Sequence, residues 1–286
     1  MMNWFVKIEL SVMLRMLLLA HTVAISCFCC LFAEIPESNY EMRHGASSGL
    51  VEAFYYEKKA DSLSLTSGNA AIVKFEKSLE LFKNESDHKS TLRVSEKIMV
   101  NYARIMDYNN ALVYAYDLLE FYENNCDTLN IIKMHSYVGG MYSGDWKLDL
   151  ALGHNHKALN LSKHFGSLEG VATMCNNIAV IYLQLDSIPQ ALSYLGQSEV
   201  ISLETDNRKL LMGNYFLYGD IYQHLGEFEE SKKNLLKANK IVNQEGSLLD
   251  SINIAEKLGI HYYMVDSVAL AIKLLQSGQY LCRKIG

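Results

Sequence analysis

Proline is scarce in this chain, with 2 residues in 286. Because proline removes a backbone hydrogen-bond donor and breaks helix interiors, its scarcity favours long uninterrupted helices. An excess of basic residues is also missing, since the formal net charge is −6. The chain therefore lacks the electrostatic footprint of nucleic-acid binding, and we expect no nucleic-acid partner. The 50% of residues that are apolar can form a substantial core.

Paired cysteines are missing from the chain beyond residue 33. Cys126, Cys175 and Cys282 are odd in number, lie far apart and form no C-x-x-C motif. This pattern excludes a disulfide framework and a zinc ribbon. We expect all three cysteines to be small buried hydrophobic residues.

The N-terminal segment has the pattern of a targeting signal. Lys7 and Arg15 precede the apolar run MLLLAHTVAISCFCCLFA at 16–33, and a polar EIPES follows it. A basic region, an apolar run and a small residue (Ala33) before a polar start are typical of a cleaved secretory signal. We therefore expect an exported protein, either periplasmic or anchored so that it faces the periplasm.

Two alternatives to cleavage stay open. The apolar run at 16–33 is long enough for an uncleaved membrane anchor. The segment AISC at 24–27 resembles a lipobox, which would make Cys27 a lipidated N-terminus. In each case we expect membrane contact only through residues 16–33, with a linker at 34–51 after the leader.

The stretch NNIAVIYLQLDSIPQALSYL at 176–195 recurs along the chain every forty residues. Shifting it by this period keeps four columns in register without an insertion. The columns are a tyrosine column (Tyr102, Tyr142, Tyr182, Tyr222, Tyr262), two small-residue columns (Gly139, Ala179, Gly219, Gly259 and Ala111, Ala151, Ala191, Ser231, Ala271), and an apolar column (Tyr108, Leu148, Ile188, Phe228, Val268). A weaker sixth copy lies at 52–91. Self-similarity at a fixed period of this size predicts a repeat architecture.

Each copy predicts a pair of helices. Ile178, Ala179 and Tyr182 form an apolar stripe of a first helix, and Ala191 and Leu195 form one of a second. The small-residue columns lie where the two helices would cross, because close backbone approach leaves no room for bulk. The turns between them are short and polar, so successive helices must be antiparallel neighbours. One hairpin cannot bury its face alone, and stacked hairpins form a continuous core.

These copies resemble the tetratricopeptide repeat. LYGDIYQHLGEFEESKKNLLKA (217–238) matches the L-G-x-x-Y first-helix signature and the G-x-[FY] turn, and CNNIAVIYLQLDSIPQALSYL (175–195) is a second close match. Further matches are SYVGGMYSGDWKLDLALGHNHKA (136–158), KLGIHYYMVDSVALAIKLLQSG (257–278) and MVNYARIMDYNNALVYAYDLL (99–119). The period of forty, against about 34 in the family, implies longer helices or longer turns.

The resemblance implies an all-α, right-handed superhelical solenoid of antiparallel helix pairs with about five to six repeats. We expect the repeats at 92–131, 132–171, 172–211, 212–251 and 252–286, after the divergent first repeat at 52–91.

The resemblance also implies a concave groove, lined by the first helices, that binds an extended peptide. The residues expected to face it are Arg93, Arg104, Lys133, Asn176, Asn177, Gln184, Phe216, Asp220, Gln223, His224 and Tyr263. The pair Asn176–Asn177 resembles the position where the family grips a peptide backbone. The family's arrangement for a terminal carboxylate needs Lys and Asn in fixed columns. Tyr137 and Leu217 interrupt the column of Lys97 and Lys257, so we do not expect that activity.

Catalytic patterns are missing as well. The HNH at 154–156 places two imidazoles two residues apart, and on a helix they would diverge by about 200°. We expect both to be surface histidines rather than metal ligands. The sequence contains no phosphate-binding loop, no G-x-S-x-G and no persuasive carboxylate pair. We therefore expect no enzyme activity, no cofactor and no metal.

The last hairpin offers a second candidate contact. Without a further helix, Ile272, Leu275 and Tyr280 would be left partly open, because a repeat array exposes an apolar face at its end. The function expected is a non-enzymatic scaffold or sensor module that binds a protein or peptide. The alternatives are the sensory half of a membrane-spanning transcriptional regulator or histidine kinase, and a cytoplasmic regulator of a response regulator.

Overall fold

The chain folds as a run of helices of nearly constant length. A computed structural model describes residues 47–285, with side chains as far as Arg283. Every regular element in this range is an α-helix of 16 to 18 residues. In chain order the helices are α1 (Ser48–Leu63), α2 (Gly68–Asn84), α3 (His88–Arg104), α4 (Tyr108–Asn124), α5 (Thr128–Gly144), α6 (Leu148–Phe165), α7 (Leu168–Gln184), α8 (Ile188–Glu204), α9 (Arg208–His224), α10 (Phe228–Glu245), α11 (Leu248–Met264) and α12 (Val268–Ile285). The predicted fold class, all-α and built from antiparallel helix pairs, is confirmed.

The predicted leader at 1–33 lies outside the described residues, as does most of the predicted linker. Helix α1 begins at Ser48, inside the remaining part of that linker. The helix pairs begin four residues before the predicted repeat starts, at Ser48, His88, Thr128, Leu168, Arg208 and Leu248. In the range 47–285 no helix combines the length and apolar character needed to cross a bilayer.

The helices form two compact units, with the boundary in the first turn of α7. One unit contains residues 47–170 and the other contains residues 171–281. Each has its own apolar core. Fully or almost fully buried side chains in the first unit include Phe75, Phe82, Ile98 and Met134, and in the second Ile178, Leu195, Ile221 and Leu235.

Most connections between helices are three-residue turns with a left-handed residue in the middle. The turn after α2 shows the pattern: Ser86 has φ 58°, its N–H bonds to the carbonyl of Lys83 (3.1 Å), and the N–H of Asp87 bonds to the carbonyl of Phe82 (3.0 Å). This is a Schellman cap. The side chain of Asp87 also accepts a hydrogen bond from the N–H of Ser90, so one residue ends α2 and begins α3.

The left-handed position recurs every twenty residues, and several of its occupants are not turn residues. Among residues 47–285, seven non-glycine residues have this conformation: Ser86, Met106, Cys126, Trp146, Asp186, Asp206 and Asp266. The sequence predicted polar turns, and Met106, Cys126 and Trp146 depart from that pattern. Two 17-residue helices and two three-residue turns make up the period of forty, so longer helices explain the departure from the family's usual period.

The two small-residue columns lie at helix crossings, as predicted. A Cβ on Gly139 would lie 2.2 Å from Asn155 Nδ2, and one on Gly219 would lie 2.6 Å from a methyl of Leu235. Ala191 is fully buried, and the hydroxyl of Ser231 donates to the carbonyl of Gly219 at 2.9 Å. A larger side chain at these positions would push the helices of a pair apart.

The expectation for the cysteines holds for one of the three. Cys175 is fully buried in α7, whereas Cys126 and Cys282 are exposed. Cys126 is exposed because it occupies the left-handed position of the turn after α4, where the side chain points to solvent. The prediction that all three are buried hydrophobic residues is wrong for Cys126 and Cys282.

Candidate functional site

The predicted site residues lie on the first helices of the pairs, which are α1, α3, α5, α7, α9 and α11. These helices are covered on more than one side: every residue of 134–141 in α5 and of 174–181 in α7 is buried. The second helices keep an exposed face, and in α4 only Ala111, Ala115, Leu118, Leu119 and Tyr122 are buried. Polar side chains in the middle of the first helices must therefore find partners within the protein.

In the unit of residues 47–170, Arg93 takes part in an ionic network between α1 and α3. Its guanidinium donates two hydrogen bonds to Glu57, from Nε to Oε1 (2.9 Å) and from Nη2 to Oε2 (2.8 Å). Lys97 lies 2.9 Å from the same carboxylate and 2.8 Å from Asp61. Glu57 is completely buried, and the side chain of Lys97 is 4% exposed. A ligand that binds the guanidinium of Arg93 would have to displace the buried carboxylate of Glu57, which accepts two hydrogen bonds from it.

The network also keeps Lys97 charged. Burial lowers the pKa of Lys97, but the carboxylates of Glu57 and Asp61 raise it by more, so its pKa lies above the ordinary value for lysine. Its Nζ lies 5.7 Å from the ring centroid of Phe75, and the Arg93 guanidinium lies 5.8 Å from the rings of Phe54 and Phe82. The aromatic faces add to the stabilisation of the two cations.

Helices α3 and α5 of this unit are also linked by an ion pair. Lys133 on α5 forms an ion pair with Glu96 on α3, and its Nζ lies 5.6 Å from the ring of Tyr137. The Lys133 side chain is 40% exposed, so this pair is the more accessible one. Arg104 is the last residue of α3 and is half-buried.

In the unit of residues 171–281, Asn176 belongs to a buried polar network. Its Nδ2 donates to Asn214 Oδ1 at 2.8 Å, and the Ser198 hydroxyl donates to the same oxygen at 2.9 Å. Asn214 is fully buried and Asn176 is 5% exposed. The amide predicted to grip a peptide thus connects α7 to α9. The neighbouring Asn177 is 6% exposed.

A second buried ion pair connects α9 to α11. Lys257 Nζ lies 2.8 Å and 2.6 Å from the two carboxylate oxygens of Asp220, and both side chains are largely buried. Phe216 is 5% exposed, and its ring centroid lies 5.8 Å from the same ammonium. Lys97 and Lys257 occupy one sequence column, and each is bound to a carboxylate of the preceding first helix.

The accessible members of the predicted set in this unit lie at the C-terminal ends of three first helices. Gln184 ends α7, Gln223 and His224 end α9, and Tyr263 is the penultimate residue of α11. Tyr263 is 49% exposed, and His224 Nε2 lies 2.8 Å from the exposed Asp186. We call these four residues the C-terminal rim. It offers two amides, an imidazole and an aromatic ring at a regular spacing.

A histidine–tyrosine cluster that the sequence did not predict lies in the unit of residues 47–170. His135 Nδ1 and His154 Nδ1 are 3.0 Å apart, and Tyr116 Oη lies 3.0 Å from Tyr142 Oη and 3.4 Å from His154 Nε2. His154 was expected on the helix surface and is instead half-buried between α4 and α5. The repeat pattern contains one indication that His154 lies against another ring. Its forty-residue column also contains Tyr114, which stacks on Tyr102, and Tyr194, which stacks on Tyr182.

The cluster predicts acid sensitivity of this unit. Burial, the imidazole of His135 and the ammonium of Lys157 together lower the pKa of His154 to about 4, and burial lowers the pKa of His135. The unfolded chain therefore takes up these protons at higher pH than the folded chain does. The stability that the cluster contributes is complete above pH 6.5 and decreases as the pH falls towards 4.

The variant His154→Tyr isolates this effect, because tyrosine is native in the same column. Between pH 6.5 and 4 we expect the free energy of unfolding to fall by about 1–2 kcal/mol more in the wild type than in the variant, after allowing for solvent screening. Urea unfolding at a series of pH values measures the difference. The exposed His164→Tyr serves as the control, and parallel curves for wild type and His154→Tyr would contradict the prediction.

The last hairpin exposes the apolar side chains that the sequence indicated. Ile272, Leu275 and Tyr280 on α12 are 51%, 42% and 59% exposed. Residues in the column of Leu275 are buried in the earlier second helices, for example Leu195 (0%) and Leu235 (1%). The predicted open face on α12 is therefore present.

Comparisons with known proteins agree with this architecture. The family model of the tetratricopeptide repeat matches residues 213–241, which covers most of α9 and most of α10. A search of the curated proteins found no match to the sequence. The family match falls on the copy that gave the clearest resemblance.

Several solved structures share the fold at low sequence identity. Aspartyl phosphate phosphatase F from Bacillus subtilis aligns with a TM-score of 0.64 at 14% identity, covering 82% of this chain and 70% of that one. A Rap protein complexed with competence and sporulation factor aligns with a TM-score of 0.61 at 14% identity, covering 84% and 77%. The Rap conjugation gene regulator of plasmid pLS20, in complex with the Phr* peptide, aligns with a TM-score of 0.50 at 14% identity, covering 89% and 81%.

The family match and the shared fold point to the same conclusion. The helices form pairs of nearly equal length, with small residues where they cross. Together with the family match at 213–241, these features are typical of tetratricopeptide arrays. The chain is a helical repeat protein of the tetratricopeptide type.

Proposed function

We propose that the protein is a non-enzymatic scaffold that binds a peptide or a short protein segment along its first helices. The observation that carries this proposal is the C-terminal rim, formed by Gln184, Gln223, His224 and Tyr263. These side chains recur at the ends of successive first helices and are partly or fully exposed, whereas Asn176 and Lys257, near the helix centres, are almost completely buried. Regularly spaced amides and an aromatic anchor suit the backbone and one side chain of an extended peptide.

The shared fold supports a peptide as the ligand. Two of the similar structures are named as complexes, one with competence and sporulation factor and one with the Phr* peptide. Those ligands belong to those proteins, and we transfer only the class of ligand. In the unit of residues 171–281, the deeper predicted residues Asn177 and Asp220 would then form the floor of the site.

We also propose that the protein is exported through the leader at 1–33 and acts as a sensor or scaffold on the far side of the inner membrane. A second candidate is a cytoplasmic regulator that answers a signalling peptide or binds a response regulator, which the fold shared with Rap proteins favours. Cell fractionation with N-terminal sequencing distinguishes them. A mature N-terminus near Glu34 in the periplasmic fraction fits export, and an intact Met1 in the cytosol fits the second candidate.

Peptide selection tests the binding proposal. We expect a displayed random-peptide library to yield binders, and Tyr263→Ala to weaken a selected peptide by about tenfold because a central aromatic anchor carries much of the binding energy. Asn177→Ala should weaken it as well. Tyr55→Ala, at a side chain that is 58% exposed on α1, is the matched control. A library without binders, or equal affinities for all variants, would contradict the proposal.

A further inference from the structure

The outer face of α10 differs in charge from the second helices α4 and α8, and α12 is likewise basic, with no carboxylate. The segment 232–240 reads KKNLLKANK and contains four lysines and no carboxylate. By contrast, α4 contains three carboxylates and no lysine or arginine, and α8 contains two carboxylates and no lysine or arginine. A concentration of positive charge in a chain with a net charge of −6 does not follow from overall composition.

These lysines surround a shallow depression. Its volume is about 460 Å³, and it is lined by Glu229, Lys232, Lys233, Leu236, Lys237 and Lys240. Leu236 is 45% exposed between the lysines, so the depression has an apolar centre and a mainly cationic border, which also includes the carboxylate of Glu229. We call Lys232, Lys233, Leu236, Lys237 and Lys240 the α10 lysine face.

Two of the lysines are held in place by aromatic rings of the neighbouring first helices. Lys237 Nζ lies 4.7 Å from the ring centroid of Tyr215, and Lys232 Nζ lies 5.9 Å from that of Tyr262. An ammonium that rests on a ring has already lost part of its conformational freedom, so it loses less on binding a carboxylate. The tyrosines therefore prearrange part of the cationic border.

Within the described part of the chain the charge of this face is compensated only in part, because Glu229 lines the depression together with the four lysines. Lys233 pairs with Glu230 at 3.1 Å, an exposed pair of small stability. No acidic side chain among residues 47–283 forms an ion pair with Lys237 or Lys240. An anionic partner would thus gain interactions with few internal ones to break.

We propose that the α10 lysine face binds an extended acidic segment of a partner protein. Lys233 and Lys240 are separated by two helical turns, about 10 Å, which an extended segment of three to four residues spans. Leu236 then takes one apolar side chain of that segment. The net negative charge of the whole chain repels a large anionic surface such as a membrane or a nucleic acid. A short acidic segment interacts mainly with the lysines that it contacts, so this repulsion affects it less. This surface is separate from the C-terminal rim and goes beyond the proposed function.

The test uses the full-length chain and a blocked, fluorescein-labelled peptide of glutamates around one leucine. We expect fluorescence anisotropy to show binding at low salt that weakens steeply as salt is added. The double variant Lys237→Glu and Lys240→Glu should reduce the affinity by about tenfold or more. Lys58→Glu with Lys59→Glu is the matched control, because it makes the same charge change at exposed lysines of α1, one of which also lies over a tyrosine ring.

Each outcome decides the proposal. Loss of binding in the α10 variant alone, together with no binding of a glutamine version of the peptide, supports it. An equal loss in the α1 variant shows a general charge effect and overturns it. No binding of the acidic peptide by wild type overturns it as well. Binding to phosphatidylserine vesicles or to oligothymidine that exceeds binding to the peptide overturns the choice of an acidic protein segment.

Discussion

Replacing Glu57 by glutamine should destabilise the unit of residues 47–170 by about 3 kcal/mol. The substitution keeps the shape of the side chain but removes the charge that faces Arg93 and Lys97 inside the protein. Breaking one partner of a buried ion pair leaves an uncompensated charge, and that penalty exceeds the net contribution of the pair itself. Lys97 keeps Asp61, so the main loss falls on Arg93.

Hydrogen exchange is the suitable measurement, because repeat arrays open locally and need not unfold in one step. Amides of α1 and α3 should exchange faster in Glu57→Gln. The exposed pair Lys77–Glu80 provides the control: Glu80→Gln should leave amide exchange in α1 and α3 unchanged. The double variant Glu57→Leu with Arg93→Leu should recover most of the loss. Exchange in Glu57→Gln that matches wild type would show that the network does not hold α1 and α3 together.

Replacing Ala191 by arginine should unfold at least the hairpin of α7 and α8. Ala191 is completely buried in a core cluster with Ala179, Leu195 and Ile221. The arginine side chain would overlap sterically with the surrounding core atoms, and it would bring an unpaired charge into an apolar core. We therefore expect the free energy of unfolding to fall by at least about 4 kcal/mol. Circular dichroism should show the missing helix, and hydrogen exchange should place the loss in α7 and α8.

Val200→Arg is the matched control for this variant. Val200 lies on the same helix and is 56% exposed, so arginine there keeps its charge in water. We expect a change within about 0.5 kcal/mol. If Ala191→Arg retained the helicity and slow exchange of wild type, the forty-residue register of the small-residue columns would be incorrect.

Much of the fold could be predicted from the sequence because its strongest constraint is steric. Gly139 and Ala191 are small for one reason, the close approach of two helices, and only glycine, alanine and serine occupy the two columns. Such columns remain visible without any structure. The turns were predicted less well. The left-handed position tolerates Met106 and Trp146 at a cost of about 1–2 kcal/mol each, which the packing of the helices offsets.

The candidate site could be predicted only as a set of positions. Arg93, Lys133 and Asp220 lie on first helices, as the repeat pattern implied, but the sequence did not show that each is bound to a charged residue of an adjacent first helix. The partner stands 36 or 37 residues away rather than in the forty-residue column, so the repeat period alone does not identify it. Whether these residues also contact a ligand stays a prediction.

The turn that recurs every twenty residues restricts how such a gene can grow or shrink. Duplication of a twenty-residue segment would insert a single helix. Every later first helix would then take the place of a second helix, with its exposed face, and every later second helix would take the buried place of a first helix. A forty-residue duplication adds a complete pair and leaves every later side chain in its former environment. Chain length in this lineage should therefore change in steps of two helices, and an engineered array can be lengthened at any turn in the same way.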